Sequence, residues 1–201
     1  MLATTLYGVE VFDVKQFEQT YDGAVATERT EDAVDRNVEQ WRRVRPDLPL
    51  DAMATFARLG RLAGVATPLI GETFARFGLS IGEFDVLAAL RRAGDPYTLT
   101  PSALARGLML SAAAMTNRLD RLEAAGALTR RLDPANRRSM LVTLTAAGLD
   151  VVDRAVTEHV AREEELLGVL GAADRRRLDA LLRDLLHAWE SRSGTGGSPA
   201  R

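Results

Sequence analysis

Between residues 100 and 145 the chain changes its periodicity twice, and few architectures accommodate that change. Thr100 followed by Pro101 reads as an N-cap with proline at the first helical position, opening a short helix to about Gly107. A second helix starts after Ser111 and ends at Gly126. Ala127–Leu132 and Ser139–Leu144 then read as two short strands flanking Asp133-Pro134-Ala135-Asn136-Arg137-Arg138, a turn-rich and charged tip. Two short helices joined by a few residues, followed at once by a hairpin, predict a helix-turn-helix with a β wing.

Helical patterns surround this segment. Val34, Val38 and Trp41 make one stripe of a helix from about Thr30 to Arg45, stopped by Pro46. Asp51 is expected to cap a long helix reaching about Phe77, with Gly78 as its left-handed terminator. Ser80 caps a segment whose apolar face is Phe84, Leu87, Ala88 and Leu90, broken by Gly94-Asp95-Pro96. Thr145 opens an amphipathic helix through about Leu170, and Ala172–Ser191 forms a last one. The expected class is therefore mainly α with a small β wing. Residues 79–145 form the winged domain, 29–78 and 146–191 a helical dimerisation region, 1–28 an arm, and 192–201 a disordered tail.

Charge is distributed unevenly over this plan. The 201 residues carry a net charge of −2, yet Pro101–Leu149 holds Arg106, Arg118, Arg121, Arg130, Arg131, Arg137 and Arg138 against Asp120, Glu123 and Asp133. That segment is at +4 and the remainder at −6. A basic region on an acidic body is the electrostatic footprint of a nucleic-acid binder, although a cluster of solvated charges would look the same by count alone.

On a helical wheel Ala112, Met115, Leu119 and Leu122 cluster on one side of the Ser111–Gly126 helix and are expected to face inward. Ala113, Ala114, Asn117 and Arg121 lie roughly opposite. Small residues let a helix approach a major groove, and Asn and Arg suit adenine and guanine edges. Thr116 is placed for phosphate, Ser111 is a further DNA-binding candidate, and Arg137 or Arg138 is placed for the adjacent minor groove, whose negative potential attracts guanidinium groups. Pairing of Asp133 with Arg137 is the plainer reading of that tip.

These residues resemble the MarR family of regulators, through Leu99-Thr-Pro-Ser-Ala-Leu-Ala, Thr116-Asn-Arg-Leu-Asp-Arg-Leu-Glu with Gly126, and the wing followed by Leu144-Thr-x-x-Gly. The similarity runs from about Ala33 to Trp189, with Asn136 where the family's wing usually carries Asp. More narrowly, the chain resembles the urate-responsive, PecS- and HucR-like branch, through Trp41, Asp85, Arg118 and Arg130. The resemblance implies that these four line a pocket between the DNA-binding lobe and the dimer layer, taking a small anionic effector such as urate. Guanidinium groups and an aromatic wall suit such an oxyanion. Core packing for Trp41, a buried ion pair for Asp85 and Arg118, and a phosphate contact for Arg130 remain open.

The resulting expectation is a homodimeric, ligand-responsive repressor on pseudo-palindromic duplex DNA, with half-sites spaced by roughly 10 bp. The alternative is a constitutive or architectural winged-helix binder without a ligand. The chain has no cysteine, which removes thiolate chemistry, and no metal site or cofactor is expected. Its two histidines, His159 and His187, are read as surface or interfacial residues on long helices, and no nucleophile elbow or phosphate loop accompanies them, so an enzyme is not expected. No apolar run approaches a membrane span and no export signal opens the chain, so the cytoplasm is the expected location.

Overall fold

The computed structural model describes residues 31–136 and 138–194. The expected arm, the distal tail from residue 195 and Arg137 lie outside the described residues. What is described clusters into two compact units that divide between Leu62 and Ala63.

The first unit is built on helix α1, Ala33–Val44, and the start of helix α2, Asp51–Ala75. Asp32 caps α1 by accepting from the Val34 and Asp35 N–H groups, while the Asp35 carboxylate accepts from Asp32 N. This reciprocal pair satisfies backbone donors that the first helical turn leaves orphaned. The chain leaves α1 at Arg45, ahead of Pro46, as expected. Val34 and Val38 are buried with Leu50, against Leu48, Ala54 and Ala57. Trp41, expected on the same stripe, is 45% exposed, because it falls on the last turn, past the span that Leu50 and its neighbours cover. Asp51 is not the cap of α2 but its first helical residue. Burial of Leu50 fixes the chain one residue earlier, and the Leu50 carbonyl accepts from Ala54 N at 3.0 Å. The Asp51 carboxylate then lies in the first turn, where the helix dipole favours a negative charge.

The second unit runs from Ala63 onward. α2 ends at Ala75, two residues before the expected stop, and Gly78 takes a φ of +71° to release the chain. Ser80 then caps α3, Ile81–Arg92, in a full capping box with Glu83. A two-residue strand β1, Thr98–Leu99, follows, then α4, Pro101–Gly107, α5, Ala112–Ala124, and the wing strands β2, Leu128–Leu132, and β3, Met140–Leu144. The antiparallel sheet has the order β1-β3-β2. β1 was not anticipated, because two residues carry no measurable alternation.

α6, Ala146–Leu166, opens at the expected Thr145 cap and passes into a 3-10 turn at Leu167–Val169, which ends it short of Leu170. α7, Ala172–Gly194, comes last. The core joins Phe74, five residues of α3, Leu104, Met115, Leu119, Leu122, Leu128, Val142 and Leu144 with Val152 and Ala155 of α6. Each Val, Leu, Met or Phe side chain among these contributes roughly 1.5–3 kcal/mol on burial. Within this unit His159 is largely buried rather than superficial, its ring 4.9 Å from Phe74 and 5.4 Å from Phe84, with Nε2 3.2 Å from Glu163. His187 is exposed on α7. No described helix is long and apolar enough to cross a membrane.

Candidate nucleic-acid interface

α5 is presented by its own local chemistry. Thr100 accepts from Ala103 N to start α4, and Ser111 accepts from Ala114 N at 3.2 Å to start α5. Met115, Leu119 and Leu122 are buried and hold α5 against α3 and β2. Ala112 is exposed, against expectation, because it occupies the first turn, ahead of the part of the helix that the core covers. Ala113, Thr116, Asn117 and Arg121 share the exposed side, with Ala114 partly covered. Accepting a bond leaves the Ser111 O–H free to donate to phosphate. Thr116 uses its proton on the Ala112 carbonyl at 3.0 Å, so in this rotamer it offers acceptor lone pairs only.

The wing tip is ordered by two side chains. Asp133 accepts from Ala135 N at 2.9 Å and Asn136 accepts from Arg138 N at 3.2 Å. The amide oxygen of Asn136 thus performs the backbone-capping that a carboxylate would perform there. Arg138 is exposed beyond it, while the expected partnership of Asp133 with Arg137 lies outside the described residues.

Behind α5, carboxylates and guanidinium groups meet the first turn of α3. Glu83, a residue that the sequence reading passed over, is buried, and accepts from both the N–H and the hydroxyl of Ser80, at 2.8 and 2.7 Å. Burial pushes its carboxyl up, but the Ser80 bonds and the charges of Arg121 and Arg118 outweigh that and hold it below its ordinary value. Arg121 Nη1 stands 3.6 Å from Glu83 Oε1. Arg118 donates from Nη1 to the Gly82 carbonyl at 3.2 Å, with its guanidinium laid flat against a glycine that has no Cβ to obstruct it. The half-buried Asp85 is pushed up by burial, partly offset by the charges of Arg118, Arg92 and His159. Among the described contacts Asp85 and Arg118 share a field but no hydrogen bond. The Ser80-x-x-Glu83 spacing was the available signal for Glu83.

Arg130 occupies a different setting. Its Nη1 is 2.7 Å from Asp120 and its Nη2 2.6 Å from Glu123, both on α5, and its own N–H donates to Glu123 at 3.0 Å. The structure therefore brings Asp85 and Arg118 together and sets Arg130 apart with two carboxylates. Trp41 belongs to the first unit.

A capped helix offering small and amide side chains, followed by an arginine-tipped hairpin, defines a winged helix-turn-helix DNA-binding regulator. The sequence profile of the MarR family matches residues 77–139. The chain is 39% identical over 145 residues to the transcriptional regulator PecS of Dickeya dadantii, covering 72% of this chain and 87% of PecS. The protein belongs to the MarR family of transcription regulators. Its relatives are regulators, not enzymes. Among solved structures, a mutant MarR of Escherichia coli complexed with operator DNA aligns with a TM-score of 0.59 at 26% identity, over 70% of this chain and 99% of that one. Bordetella bronchiseptica BpsR, whose DNA binding is regulated by 6-hydroxynicotinic acid, aligns with a TM-score of 0.57 at 28% identity, over 64% and 90%.

Proposed function

We propose that this regulator is a homodimeric repressor of pseudo-palindromic operators, acting in the cytoplasm, and that a small anionic aromatic molecule such as urate releases it from DNA. The observation that carries the reading is the meeting of Arg118, which belongs to the DNA-reading helix itself, with Asp85 and the first turn of α3. An anion engaging that guanidinium would compete with the Gly82 carbonyl and shift α5, which is an equilibrium biased by differential affinity for two states. The aromatic effector of BpsR and the similarity to PecS support the ligand class.

Dimerisation is supported by α7. Leu178, Leu181, Leu182, Leu185 and Leu186 recur at three- and four-residue spacing and are 36–55% exposed in the single chain. An apolar stripe along a 23-residue helix calls for a partner surface, and a second copy supplies it along with the second half-site. The test is a mobility-shift titration on the protein's own upstream DNA with and without millimolar urate, run beside light scattering. Wild type released by urate, and Arg118→Ala bound but indifferent to it, supports the reading. Tight binding that ignores urate and related purines and carboxylates leaves a constitutive binder, and a monodisperse monomer at micromolar concentration removes the dimer.

A further inference from the structure

Two acidic residues sit on the helix that reads DNA, where each costs attraction to phosphate, and both point at one arginine of the wing. Arg130, on β2, is only 25% exposed in its side chain and is held by four contacts. Asp120 takes Nη1, Glu123 Oε2 takes Nη2 and Nε, and Glu123 Oε1 takes the Arg130 backbone N–H. Glu123 is pulled below its ordinary value, first by the side-chain bond from Arg130, and the Arg130 guanidinium is pushed up, first by Glu123. Because Glu123 grips backbone and side chain together, it fixes strand β2 itself, not merely a flexible arm. The ladder carries that constraint onward, since Arg130 pairs with Val142 and Leu132 with Met140 across the hairpin that ends at Arg138.

We propose that Arg130, Asp120 and Glu123 form a clamp that sets the angle between the recognition helix and the wing, so that one rigid piece reaches two grooves. Arg130 is then a positioning residue for Arg138. The inference rests on the reading of Arg138 as a wing contact to DNA. Geometry of this kind acts through registration: a wing that pivots freely still carries its charge but loses the entropy advantage of being aimed.

The clamp makes a prediction opposite in sign to simple electrostatics. Asp120→Asn with Glu123→Gln keeps shape while removing two negative charges beside DNA, which by counterion release alone would tighten binding. The experiment measures operator affinity in a cycle that crosses this pair with Arg138→Ala, with circular dichroism confirming the fold of each variant and Arg130→Lys as a conservative companion. In the clamped background Arg138→Ala is expected to cost about tenfold in affinity, and in the unclamped background less than about twofold. The unclamped protein should also lose backbone protection at the operator flanks, where Arg130→Lys retains part of it. An Arg138→Ala penalty that is the same in both backgrounds overturns the clamp while leaving the wing contact standing. A penalty absent even in the clamped background overturns the wing contact and the clamp with it. Arg130→Lys that binds DNA as wild type but ignores urate returns Arg130 to the effector site.

Discussion

At the level of single residues, the least comfortable position is Met109, in the turn between α4 and α5. It is 93% exposed and holds a φ of +51°, in the left-handed region that costs an ordinary side chain roughly 1–2 kcal/mol. Nothing buried depends on its side chain, so Met109→Gly should relieve that strain. After the entropy that glycine adds to the unfolded chain, a gain of about 1 kcal/mol in denaturant-derived stability is expected, with the circular dichroism spectrum unchanged. Gly82 presents the converse case. Any Cβ there collides with the Arg118 guanidinium, the movable end of a long side chain, so Gly82→Ala should fold normally while pushing Arg118 off α3. Urate-driven release is expected to weaken about tenfold, a loss of roughly 1.4 kcal/mol in coupling. An unchanged urate response would mean that the Arg118–Gly82 contact plays no part in sensing.

Elements whose caps are local in sequence were legible, and elements fixed by distant contacts were not. Ser80, Thr100, Ser111 and Thr145 each bond an N–H three residues on, within the reach of a sequence reading, and each helix starts where its cap says. Asp51 looked equally good as a cap, but the burial of Leu50 decided where α2 begins. The exposure of Trp41 has the same origin, since periodicity names a face but not the length of it that finds cover. In the site, Asp85 and Arg118 were read on the right helices, whereas the Glu123–Arg130 grip joins residues across a turn by no local rule.

Long-range contacts also carry the element-scale predictions. The first turn of α6 presses Gly148 against the backbone of Ala127, whose Cα would lie 3.1 Å from an added Cβ and whose carbonyl would lie far closer. Backbone cannot swing aside as a side chain can, so Gly148→Ala should destabilise by about 1–3 kcal/mol, read as a lower denaturant midpoint at constant m. In the first unit Arg58 binds both Asp32 and Asp35 at the head of α1. Its bond, the largest cause, holds Asp32 down from 3.8 to about 2, and Asp35 is lowered first by the Asp32 backbone N–H and next by Arg58. With folded values depressed, this contribution is fully present above the ordinary carboxylate range and is lost as pH falls through it toward 2. The melting temperature of wild type should exceed that of Arg58→Met by a constant margin above about pH 5. The margin should shrink from pH 4 to pH 2 and should narrow in high salt, because the pair is exposed. A margin that persists at pH 2 would assign it to packing by the Arg58 stem.

The whole molecule resolves a tension between an acidic chain and a polyanionic target by restricting which arginines face DNA. Of the seven in Pro101–Leu149, Arg118 is committed to the Gly82 carbonyl and Arg130 to Asp120 and Glu123. Arg106, Arg121, Arg131 and Arg138 are exposed, and the sequence adds Arg137 as a fifth cation outside the described residues. The proposed dimer would offer ten cations from this segment, and counterion release at about 0.9 per phosphate contact bounds its slope of log K against log salt near −9. A single protomer is bounded near half that value. Titrating operator binding between about 50 and 200 mM salt thus reports on stoichiometry and on internal pairing together. A slope between about −5 and −9 is expected; one no steeper than about −4 would argue for a lone protomer on DNA, and one beyond about −9 would mean that Arg118 or Arg130 leaves its partner to meet phosphate. Repeating the titration with Asp120→Asn and Glu123→Gln separates those last two: a slope steepened by about 2 across a dimer means that Arg130 was still paired in the wild type and assigns the excess to Arg118, whereas an unchanged slope means that Arg130 had already left its partners.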